Sequence, residues 1–172
     1  MNEITIIDMP NIKVMGMKKT GRYKDLIPSM LQQLYQHLMK NDDEVCCGPP
    51  MFICHDTCVE EVIEADKNGT AVVKVAIPIM KEIDQTDDMK IYNLSGGKMA
   101  KIIHKGSYEN MNHKYEKHYK WIKENNKSIT CPSREVYVND PKEVTIENIL
   151  TEIYAPFKYL KKIVLIYKGT II

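Results

Sequence analysis

The chain repeats itself, and that repeat restricts its fold more than any other feature of the 172 residues. The stretch MKKTGRYKDL (17–26) corresponds to IHKGSYENM (103–111). Each sets a basic residue before a Gly-x-Tyr triplet, Gly21-Arg22-Tyr23 and Gly106-Ser107-Tyr108, and each runs into an amphipathic segment. Next, GPPMFICHD (48–56) answers CPSREVYVND (131–140), a proline turn followed by an alternating strand and then Asp56 or Asp140. Last, VKVAIPI (73–79) answers TEIYAPF (151–157), strands closed by Pro78 and Pro156. Three matches in one order mark a duplicated unit.

Each copy reads strand, helix, strand, strand. The first strand is expected over about 4–18 and its counterpart over about 91–104, where Gly106 supplies the dihedrals of a turn. Helices are expected over 25–39, with a stripe of Ile27, Met30, Leu31, Leu34 and Leu38, and over 109–124, with Met111, Tyr115, Tyr119 and Ile122. The turn-rich segment 66–69 joins two strands, and the polar segment 83–88 links the copies. The expected organisation is one domain: a first βαββ unit over 1–82, a second over 89–157, and a C-terminal extension over 158–172. Within the extension, KKIVLIYKGTII reads as an added strand or a dimerising edge. The expected class is α+β, with pseudo-twofold symmetry and an antiparallel sheet. Its helices would cover one face and a ligand groove would open on the other.

Charge and cysteine usage narrow the function. Twenty-four basic residues against twenty-three acidic ones leave no basic surplus for a phosphate backbone, so direct nucleic-acid binding is not expected. No apolar run reaches membrane-spanning length, and the opening residues lack a signal-peptide pattern. With five cysteines, an odd number, this points to a reducing, cytoplasmic setting. Cys54 and Cys58 approach metal-ligand spacing, but a structural zinc site needs a second such pair. The cysteines read as small buried residues, and no metal or cofactor is expected.

Strand alternation then selects candidate residues. With Val136 and Val138 facing the helices, Glu135 and Tyr137 turn to the groove, and the repeat places Met51 and Ile53 beside them. Ile153 mirrors the core residue Val75, which turns Glu152 and Tyr154 the same way. Aromatic faces and a carboxylate attract organic cations, each cation–π contact contributing roughly 0.5–2 kcal/mol. Glu135 also reads as a solvated carboxylate or an ion-pair partner of Arg134 or a lysine. Trp121, beside Ile122, also reads as core.

The second half carries a family likeness. HKGSYENMNHKYEKHYKWI, EVYVNDP and ILTEIYAPF resemble the GyrI-like small-molecule-binding domain, which is also the effector-binding portion of AraC-type and MerR-type regulators. The matching positions are His104, Gly106, Tyr108, Trp121, Glu135, Tyr137, Asp140, Pro141, Thr151, Glu152, Ile153 and Pro156. The resemblance implies the same duplicated fold, with Glu135 as the pocket acid and Tyr108, Tyr137 and Tyr154 around it. Trp121, Glu152, Met51 and Ile53 complete the expected ligand-binding set. It implies a stand-alone sensor or sequestering module for lipophilic, cationic or aromatic compounds. One alternative is a hydrolase of electrophiles, with Glu135 as general base and Tyr108 or Tyr137 as proton donor. Another is a gyrase-inhibitor-like module whose groove or C-terminal edge takes a protein partner or a second copy. Lys74 stands where family members often carry an acid.

Overall fold

The computed structural model describes residues 3–41, 44–55, 59–130 and 132–160. Each expected first strand is divided in two. β1 (Ile4–Met9) and β2 (Ile12–Gly21) replace one, and β5 (Met89–Leu94) and β6 (Gly97–Lys105) replace the other. The breaks fall at Pro10-Asn11 and Ser95-Gly96, residue types that interrupt a ladder. The first unit continues as α1 (Tyr23–Asn41), β3 (Met51–Cys54), α2 (Val59–Asn68) and β4 (Ala71–Pro78). The second continues as a 3-10 turn (Tyr108–Asn110), α3 (Asn112–Glu124), β7 (Lys127–Ile129), β8 (Ser133–Tyr137), a turn (Ile146–Asn148) and β9 (Leu150–Tyr159). Gly106 has φ 121°, the turn conformation expected of it. The sequence reading runs from β3 to β4 without α2, a helix of ten residues. Residues 161–172, the whole of KKIVLIYKGTII, lie outside the described residues.

The class is α+β with a nine-stranded antiparallel sheet, in the order β1-β6-β9-β8-β3-β4-β2-β5, with β7 added on β9. From the centre outward, β8-β9-β6 and β3-β4-β2 repeat one arrangement. The outermost strands are exchanged. β1 opens the first unit but lies on β6 of the second (Ile4↔Ile102, Met9↔Gly97). β5 opens the second unit but lies on β2 of the first (Ile12↔Leu94, Met17↔Met89). Two residues, Pro10 and Asn11, therefore connect strands near opposite edges of the sheet, and that is possible only because the sheet curls. Where its edges approach, the β1–β2 and β5–β6 connections cross, and the Gly96 N–H donates to Asn11 Oδ1 at 2.6 Å. A Cβ at position 96 would stand 2.0 Å from the Met9 carbonyl oxygen and 2.5 Å from the Pro10 carbonyl carbon. Glycine is required here for space.

Both faces of the sheet are covered. On one, Met30, Leu34 and Leu38 of α1 pack on Met15, Met17, Val73, Val75 and Ile77. On the same face, Met111 and Ile122, at the start and end of α3, pack on Ala100, Ile102, Ile153 and Ala155. The inward face of the curl carries another apolar cluster, including Val14, Met51, Ile53, Ala76, Leu94, Met99, Val136 and Tyr154. The expected open groove on that face is thus a core. Val136 points into it instead of toward the helices, because curling buries the row that a flat sheet would leave to solvent.

Arg134 lies in this inward layer at 2% exposure. Its Nη2 donates to the Ser95 carbonyl, and its Nη1 stands 3.0 Å from Met9 Sδ, so one guanidinium ties both crossing connections to the centre of the sheet. Arg134→Ala is expected to cost about 2–4 kcal/mol through the cavity and the orphaned carbonyl. Arg134→Met, which refills the volume without a buried charge, is expected to cost less. Urea unfolding of both variants checks the order; equal losses would mean that the polar contacts of the guanidinium, and not its bulk, carry the effect.

Candidate ligand-binding site

Glu135 occupies the middle of β8, directly opposite Phe52 on β3 and Ile153 on β9. Residues directly opposed in an antiparallel pair point to the same side, and Ile153 packs in the α3 core. Glu135 therefore faces the helices, above the two central strands and between α1 and α3. Its carboxylate accepts the hydroxyl of Tyr115 from α3 and the hydroxyl of Tyr137, the latter at 3.1 Å. Tyr108 packs edge-on against Tyr137, ring centroids 5.6 Å apart, and Tyr119 stacks on Tyr115 at 6.3 Å. On the α1 side, Tyr23 meets Phe52 edge-on at 5.1 Å.

Burial pushes the Glu135 carboxyl above its ordinary value, although the Tyr115 and Tyr137 hydroxyls pull the other way. Burial and the neighbouring Glu135 push Tyr115 and Tyr137 well up, which keeps both phenols protonated as donors. Among the described residues no lysine or arginine forms an ion pair with Glu135. Among the described residues Glu135 thus has hydrogen-bond donors and no counter-cation.

The expected site residues divide between the two faces. Glu135, Tyr137 and Tyr108 come together, and Tyr115, expected only as part of the α3 stripe, joins them. Met51, Ile53, Tyr154 and Glu152 lie on the inward face. There Lys101 pairs with Glu152 at 2.5 Å and stands 5.5 Å from the Tyr154 ring centroid. Burial raises the Glu152 pKa, but Lys101 and Tyr154 outweigh it and hold the carboxyl below its ordinary value. Lys74 is also inward, its Nζ 4.7 Å from the Tyr92 ring centroid, and does not neutralise Glu135. Trp121 packs beside the α3 core, 5.2 Å from Lys127 Nζ. Among the described residues no three histidine, cysteine or acidic side chains group as metal ligands. Cys46 and Cys47 are free thiols, and Cys58 and Cys131 lie outside the described residues.

Phe52 and Tyr23 form the other wall, although strand alternation and the family likeness select neither. The signal for Phe52 is register. It pairs with Val75, while Glu135 pairs with Ile153, and Val75 and Ile153 are equivalents in the repeat.

A curled antiparallel sheet with two helices on one face, and a partly buried acid among tyrosines between them, defines a class of α+β domain. Residues 2–158 match the family described as the GyrI-like small molecule binding domain, and the chain belongs to that family. Among solved structures, the EcmrR C-terminal domain aligns with a TM-score of 0.77 at 17% identity, covering 91% of this chain and 98% of that one. EcmrR solved in complex with DNA gives 0.79 at 15% identity; the match covers 91% of this chain but only 57% of that longer one. A hydrolase from Listeria innocua aligns at 0.61 and 12% identity, covering 91% and 92%. SAV2435 bound to tetraphenylphosphonium aligns at 0.58 and 18%, covering 91% and 94%. No curated protein sequence matches. At these identities the structural likenesses establish the fold.

Proposed function

We propose that this domain binds lipophilic organic cations between α1 and α3, with Glu135 as the counter-charge, in the manner of a sensor or sequestering module. The observation that carries the reading is a partly buried carboxylate with two tyrosine donors and no cationic partner among the described residues. A ligand cation would supply that partner, and the rings of Tyr108, Tyr115 and Tyr137 would add cation–π contacts of about 0.5–2 kcal/mol each. The tetraphenylphosphonium held by SAV2435 is a compound of this kind.

Calorimetric titration with tetraphenylphosphonium tests the idea. Glu135→Gln is expected to weaken binding at least about tenfold while leaving a neutral arene of similar size unaffected. Equal affinities in the two proteins would remove Glu135 from the reading.

Hydrolysis is the second reading, favoured by a carboxyl raised toward the range of a general base with phenols beside it. Both of its oxygens already accept tyrosine hydroxyls, which fits an anion held for a cation better than a base poised on water. Turnover of an activated ester that disappears in Glu135→Gln would reverse this preference.

A further inference from the structure

The pseudo-twofold axis passes between β3 and β8, and Phe52 and Glu135 face each other directly across it. Each pairs on its outer side with an equivalent core residue, Phe52 with Val75 and Glu135 with Ile153. Phe52 is therefore the first unit's counterpart of Glu135. Tyr23, two residues after Gly21, is likewise the counterpart of Tyr108, two residues after Gly106. The two halves share one backbone plan and opposite chemistry at this position. Glu135 is met by the hydroxyls of Tyr115 and Tyr137. Phe52, 5% exposed, is met by the edge of Tyr23 and shares an apolar cluster with Met30 and Val75.

We propose, as a refinement that rests on the cation reading above, that Phe52 and Tyr23 determine specificity. The cleft selects compact monocations whose aromatic ring adjoins the charged centre, with the cation toward Glu135 and the ring toward Phe52 and Tyr23. Opposed residues on paired strands have Cβ atoms about 4.5–5.5 Å apart. Ring and charge must accordingly sit within one or two bonds of each other. A second positive charge on the first-unit side would meet an apolar wall instead of a carboxylate and would bear the cost of desolvation.

Three small probes separate the contributions on the whole chain: benzyltrimethylammonium, tetramethylammonium, and neopentylbenzene, the neutral carbon analogue of the first. Benzyltrimethylammonium is expected to bind about tenfold or more tighter than either of the others, since burying the ring adds apolar area to the charge pair. Phe52→Leu is expected to reduce the advantage of benzyltrimethylammonium over tetramethylammonium. In the unmodified protein, nuclear Overhauser contacts are expected from the ligand ring to Phe52 and Tyr23, and from its N-methyl groups to Tyr115 and Tyr137. These contacts need no variant, so a Phe52→Leu protein that fails to fold does not blunt the test. Reversed contacts, or a benzyl advantage unchanged in Phe52→Leu, would overturn the polarity inference and leave the cation reading standing. Equal binding of benzyltrimethylammonium and neopentylbenzene would overturn the cation reading itself.

Discussion

Gly96→Ala is expected to destabilise the protein by more than about 4 kcal/mol, a large share of the roughly 5–15 kcal/mol that ordinary domains possess. The added Cβ would lie 2.0 Å from the Met9 carbonyl oxygen and 2.5 Å from the Pro10 carbonyl carbon. Both are backbone atoms, so no side-chain rotation relieves the clash. Pro10 is restricted by its ring, Asn11 holds the Gly96 amide, and Arg134 grips the Ser95 carbonyl from below. Relief therefore means parting the crossing connections and, with them, the ends of the β1–β6 and β2–β5 ladders. The neighbouring glycine is the control. Gly97 has φ 117°, and a Cβ added there would meet nothing within 4 Å, so Gly97→Ala brings only backbone strain, on the order of 1–3 kcal/mol. Chemical unfolding of both variants should separate them clearly. Equal midpoints would show that the crossing yields easily.

Cation affinity is expected to fall as pH drops below the Glu135 midpoint and to level off near that of Glu135→Gln, because only the ionised acid supplies the counter-charge. That midpoint lies above the ordinary 4.5, so the decline begins at higher pH than for an exposed glutamate. Stability in the absence of ligand runs the opposite way. Burial makes the folded state bind this proton more tightly than the unfolded chain does. The Glu135 contribution is therefore fully present below the unfolded pKa and is lost as pH rises through the raised folded pKa. Glu135→Gln removes both dependences. The difference in Tm between the original protein and Glu135→Gln should thus shift in the variant's favour as pH rises, while the ligand-induced Tm increase grows only in the original. Parallel pH profiles for the two proteins would mean that Glu135 titrates as an ordinary surface acid.

Much of this architecture is legible in the residues. The Gly-x-Tyr triplets, the strand closed by Pro78, the Gly106 turn and the stripes of α1 and α3 all lead to the observed elements, because each rests on local chemistry, whereas β9 runs through Pro156, expected to close it, as far as Tyr159. The failure lies one residue away. Aligning the proline turns places Met51 opposite Glu135 in the repeat, whereas the ladder pairings place Phe52 there. In a strand, a slip of one residue exchanges the faces, so the alignment puts Met51 and Ile53 beside Glu135 when they lie behind it. Hydrophobic pattern does not correct the slip, since β8 is covered on both sides and Val136 is as apolar as a helix-facing residue would be. Tyr115 is hidden for a related reason. A tyrosine on an apolar stripe looks like packing until its hydroxyl finds an acid. The exchange of β1 and β5 is not legible at all, because strand partnership is a long-range property that local pattern does not encode.

That exchange also sets the order in which the molecule can be made. β1 is synthesised first, yet its partner β6 follows the rest of the first unit, the 83–88 linker and β5. β2 likewise waits for β5. The nascent chain must carry two strands with unpaired edges until the second unit emerges, and contacts this distant in sequence are slow to form. Cleavage in the linker would leave each fragment holding an edge strand that belongs to the other. The two units look divisible by sequence, but they are completed only in each other's presence.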